Sequence, residues 1–106
     1  MKIRVTDVIT NMEGHDLKEG GQDVTFRTVF YGALNNFLPD ERPTNDLKAK
    51  CWGLMQKLFK DNEVNITSDE AALLKERVGL LYNPLVYGRV CDLLDGPAEP
   101  PTQPQE

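Results

Sequence analysis

The stretch from Thr67 to Gly96, TSDEAALLKERVGLLYNPLVYGRVCDLLDG, holds the densest run of apolar side chains in the chain and constrains its fold most. It reads as two helices meeting at Asn83-Pro84. Thr67 with Glu70 three residues later has the form of a capping box, in which hydroxyl and carboxylate each satisfy an amide of the first turn. Asp69 and Glu70 also put negative charge at the favourable end of the helix dipole. Ala71, Leu74, Val78, Leu81 and Tyr82 then share one side at helical spacing, and Leu73 and Leu80 form a second stripe. Arg77 lies between the two stripes, as the polar member of a contact patch or as the internal partner of a carboxylate. Asn83-Pro84 reads as an N-cap followed by an N1 proline, whose missing N–H costs nothing there. The helix that follows presents Val86, Tyr87, Val90, Cys91, Leu93 and Leu94 inward, with Arg89 and Asp92 on its wet side. Gly96-Pro97 ends it.

The remaining segments support this pair. Lys2 to Thr6 alternates polar and apolar, the pattern of a half-buried strand, and Asn11 to Gly14 suits a type I turn. A second short strand at Asp16 to Lys18 completes an expected hairpin over residues 2–18, which must rest on helices because it cannot stand alone. Gly20-Gly21 is the joint after it. Helices are expected at about 26–38, capped by Thr25, at 45–60, capped by Thr44 or Asn45, and at 68–82 and 84–95. Val64 and Ile66 add a short extended piece. The fold class is therefore mainly α (α+β): a short N-terminal β-hairpin packed on a bundle of about four helices, with residues 1–96 as one compact domain. The segment PAEPPTQPQE, 97–106, has no apolar periodicity and reads as a disordered, solubilising tail.

At 106 residues the core is modest, so oligomerisation is an easy route to stability. A net charge of −5 and a pI near 4.8 argue against nucleic acid and against an anionic membrane as partners. Direct DNA binding through Lys48, Lys50, Lys57 and Lys60 is the reading that this charge disfavours. No apolar run is long enough to span a membrane and no signal-peptide core follows Met1, which places the chain in the cytoplasm. Cys51 and Cys91 fall on expected core faces and read as reduced thiols.

No residue set points to catalysis, a metal or a cofactor. The one histidine, His15, sits in a turn among scattered carboxylates, without the converging ligands a divalent site needs. Ser68 is committed to a helix start, and neither cysteine has a base at recognisable spacing. What stands out is large and apolar. Trp52, Phe59, Leu73, Leu80, Tyr31 and Leu85 fall at the edges of their stripes, where some complete the core and others form a protein-binding patch. The candidate contact residues are Trp52, Phe59, Leu73, Arg77 and Leu80. Mid-helix glycines at 32, 53, 79 and 88 each cost about 1 kcal/mol against alanine, which close helix approach within the chain or between subunits would offset.

The order of segments NMEG, VTFRTVFYGALNN, KAKCWGLMQKLFK and VNITSDEAALLKERVGLLYNPLVYGRVCDLL resembles small proteins of unassigned function encoded by tailed phages and prophages. The resemblance spans most of residues 5–95 and is most specific from Thr67 to Leu94. It implies a phage protein that works in the bacterial host cytoplasm or joins the virion, and it carries over no catalytic residues. The expected function is that of a non-enzymatic accessory protein that binds a host or phage protein, as an inhibitor or an assembly factor, and associates with itself. The competing expectation is an acidic DNA mimic that blocks a nucleic-acid-binding defence protein. The interleaving of 12 basic with 17 acidic residues weakens it.

Overall fold

The computed structural model describes residues 1–96, so the expectation for 97–106 lies outside the described residues. The described residues are mainly α, with four helices and short β elements. In order these are β1 (Lys2–Arg4), β2 (Lys18–Glu19), β3 (Gln22–Asp23), α1 (Phe26–Asn35), α2 (Asn45–Leu58), β4 (Glu63–Asn65), α3 (Ser68–Leu81) and α4 (Pro84–Asp95).

Each helix begins at a polar cap. Thr25, Thr44 and Asn83 accept from the amides of Thr28, Leu47 and Val86, and Thr67 with Glu70 forms the full reciprocal box. Such caps each contribute about 1 kcal/mol. α1 stops at Asn35 rather than Leu38, because Asn36 turns to extended backbone and the carbonyls of Ala33 and Asn36 accept from the Arg77 guanidinium. A helix end needs such donors for its orphan carbonyls, and here a neighbouring helix supplies them.

The strands pair differently from the hairpin expected over 2–18. β1 runs antiparallel to β4, with Ile3 opposite Val64, and Ile66 and Met1 exchange backbone hydrogen bonds beyond the ladder. Alternation identifies a strand but not its partner, and the apolar face of Ile3 and Val5 is completed by Val64 and Ile66. The hairpin is β2–β3, closed at Gly20-Gly21, where both glycines have positive φ (59° and 82°) as a tight primed turn requires. These glycines are thus a turn, not a joint. The Asn11 turn does form: the Gly14 amide donates to the Asn11 carbonyl, and the Asn11 side chain accepts from Glu13 and His15. A bridge between Thr10 and Asp16 closes it.

α1 packs against both α2 and α3, and α3 packs against α4. Phe30, Leu34, Leu58, Leu74, Val78, Val90 and Leu94 are fully buried among them, joined by Ile9 and Ile66 from the extended segments. Burying each large side chain contributes about 1.5–3 kcal/mol. α4 buries only Val86, Val90 and Leu94, while Tyr87 turns outward and Cys91 and Leu93 are half-buried. Arg89 departs from its expected wet position: its guanidinium donates to the Thr10 and Asn11 carbonyls and ties the N-terminal turn to α4. Two of the four mid-helix glycines are accounted for within the chain. A Cβ at Gly32 would lie 2.2 Å from the Tyr82 hydroxyl, and one at Gly79 would lie 3.1 Å from the Tyr87 ring. At Gly53 and Gly88 a Cβ would meet nothing within 4 Å among the described residues.

Candidate protein-binding surface

The five candidate residues do not form one patch. They separate into an interior position, a groove, a shallow depression and an aromatic cluster.

Arg77 is the interior one. It is 2% exposed and turns every arm of its guanidinium to the chain. Nη1 donates to Glu41 at 2.6 Å, Nη2 to Glu41 and to the Asn36 carbonyl, and Nε to the Ala33 carbonyl. The guanidinium also stacks 4.5 Å over the Phe37 ring. Of the two roles the sequence left open, Arg77 takes the internal one, and it is corrected as a contact residue. Glu41 in turn accepts from the Leu38 amide. The guanidinium first, and that amide second, hold the Glu41 carboxyl below the usual carboxylate range. The loop between α1 and α2 is anchored by this pair.

Leu73 is half-buried against the core and faces a groove between α2 and α3. The groove is a cavity of about 760 Å³. At one end the two helices are joined by Lys57 and Glu70, 2.8 Å apart. Burial opposes ionisation of Glu70, but Lys57 and the Thr67 amide outweigh it and hold the carboxyl low. Leu80 is 46% exposed and sits in a separate depression between α3 and α4, beside Gly79, Pro84 and Tyr87.

Trp52 and Phe59 do come together, and Tyr31 joins them. They are 60%, 51% and 45% exposed, respectively. α1 and α2 run antiparallel, as the Arg27 bond from the start of α1 to the Leu58 carbonyl at the end of α2 shows. Tyr31 on α1 therefore lies beside Phe59, with ring centroids 5.7 Å apart and edge to face. Arg27 covers the Phe59 ring at 5.2 Å. The three aromatics, with Asn35, Met55 and Gln56, line a cavity of about 320 Å³ that contains no carboxylate. Lys48 stands one helical turn before Trp52, and Lys60 follows Phe59; both are exposed. Asp61, exposed and next to Lys60, offers its carbonyl to Arg27, so three basic residues stand against one acidic residue around the cluster, in a chain that is acidic as a whole.

Other chemistry is sparse. Burial pushes the Cys51 thiol up. Cys51 and Cys91 are both free. Among the described residues no group of three or more His, Cys, Asp or Glu side chains could hold a metal ion, and no helix is long and apolar enough to cross a membrane.

Comparison with protein-family models, with curated proteins and with solved structures finds no match to this chain.

Proposed function

We propose that this chain is a non-enzymatic binding protein whose principal contact face is the aromatic cluster of Tyr31, Trp52 and Phe59 on α1 and α2. On the sequence resemblance, it serves a tailed phage or prophage, either by engaging a host factor or in particle assembly. The observation that carries the binding role is the exposure of three neighbouring aromatic rings with no covering element among the described residues. Scattered exposed apolar residues are ordinary, whereas clustered aromatic side chains are the type that anchors interfaces. Covering these half-exposed rings removes on the order of 250 Å² of apolar surface, roughly 6 kcal/mol before the costs of association. That is the scale of a hot spot at the centre of an interface.

The test is site-specific photo-crosslinking. A benzophenone amino acid placed at Trp52 or Phe59 should give a discrete protein adduct in the host cell, and the same group at Glu13, in the N-terminal turn, should not. Folded protein that yields no adduct at either aromatic position would remove the reading.

A further inference from the structure

We propose that the groove between α2 and α3 receives the aromatic face of a second copy of this chain, in a head-to-tail contact. The inference rests on the reading of the Tyr31–Trp52–Phe59 cluster as a contact face and names its partner.

The groove has the shape and chemistry of a socket. Leu47, Leu54 and Leu73 form its apolar walls, and Ala49, Gly53 and Ala72 leave space between them. Glycine in the middle of a helix costs about 1 kcal/mol against alanine. Among the described residues nothing lies within 4 Å of a Cβ built at Gly53, so no contact there offsets that cost. A bulky side chain arriving from outside does. The indole of Trp52, standing 60% exposed on the neighbouring face of the same helix, is such a side chain.

Charge selects the pairing. Asp69, Glu70 and Glu76 border the groove against Lys50. Glu70 is engaged by Lys57, while Asp69 and Glu76 form no salt bridge among the described residues. The aromatic face carries Arg27, Lys48 and Lys60 against a single neighbouring acid, Asp61, and no carboxylate lines its cavity. Opposed copies of the aromatic face would set lysine against lysine, so a two-fold contact through that face is penalised. Aromatic face against groove sets lysine against carboxylate. Because the two surfaces lie on either side of α2, each copy can give one and receive one, and the contact propagates into a ring or a chain.

A complementation experiment tests this. Trp52→Ala removes the inserting side chain and leaves the groove. Gly53→Leu fills the groove, and the open space at its Cβ lets the variant fold, as circular dichroism should show. By light scattering the wild type should exceed one chain in mass. Each variant alone should associate roughly 30-fold or more weakly. An equimolar mixture of the two should form a two-chain species, because one copy still offers the groove and the other the indole. Raising salt should weaken that species. A monomeric wild type, variants that keep the wild-type mass, or a mixture that fails to pair would each overturn the proposal. A photo-adduct from position 52 to an unrelated protein alone would overturn it too, while leaving the aromatic face standing as a binding surface.

Discussion

Arg77 and Trp52 occupy neighbouring parts of one small bundle, and each is in the place that its chemistry disfavours. A guanidinium is inside at 2% exposure, and an indole is outside at 60%. The chain has resolved the first and not the second. Arg77 gives its donors to two carbonyls and a carboxylate and rests on an aromatic ring, so its charge is desolvated but fully partnered. Trp52 lines a cavity with Tyr31 and Phe59 and stays largely exposed among the described residues. A buried charge with every partner supplied from within is a structural device. An aromatic cluster that stays half exposed among the described residues is what the proposed binding role rests on. Both residues lie at the margin of an apolar stripe, so position on the helix alone does not tell the two apart.

The contrast can be broken most directly at Arg77. Arg77→Met keeps the stem but orphans Glu41 and the α1 carbonyls, and should cost about 3 kcal/mol in urea denaturation. A loss under 1 kcal/mol would mean that the interior network is not what holds α1, α3 and the intervening loop together.

Glu41→Gln is the milder cut into the same network, and its effect should depend on pH. The folded-state carboxyl is held below its ordinary value by Arg77, so its stabilising effect is complete above about pH 5 and is lost as pH falls through and below the unfolded value of about 4.3. The gap in melting temperature between wild type and variant should therefore be widest near neutrality and close in acid. A gap that stays constant down to pH 3 would rule out the ion pair as its source.

Gly32 sharpens the internal side of the comparison. Gly32→Ala drives a Cβ against the Tyr82 hydroxyl and should destabilise by about 1 kcal/mol despite alanine's better helix propensity. In a Tyr82→Phe background the obstruction is gone, and the same substitution should stabilise by up to about 1 kcal/mol. No change of sign between the two backgrounds would refute the close approach of α1 to Tyr82.

Trp52→Ala should have the smallest effect on folding, within about 0.5 kcal/mol for the monomer, since little of the indole is covered. Its consequence should appear in association instead. A large loss of monomer stability would place Trp52 with Arg77, as a residue the fold itself needs.

Local rules made much of the helical frame legible. Thr25, Thr44, Thr67 and Asn83-Pro84 carry their own start signals, because a cap depends on a few neighbouring atoms and those are adjacent in sequence. The Asn11–Gly14 turn was readable for the same reason. Helix ends were less so. α1 stops early because its last carbonyls find donors on a residue more than forty positions away, which no local pattern records. Arg89 was missed in the same manner: it reads as a solvent-facing helix residue, and its carbonyl partners belong to the opposite end of the chain.

By itself, then, the sequence determined what is set by short-range geometry: the helix starts, the amphipathic faces and the set of large side chains at their edges. Tertiary structure decided which edges close. It paired β1 with β4 rather than along the chain, drew Arg77 inward to Glu41, and left Trp52, Phe59 and Tyr31 together on the surface. The reason is that a side chain's burial depends on what packs across from it, and the packing partners here come from segments far apart in sequence.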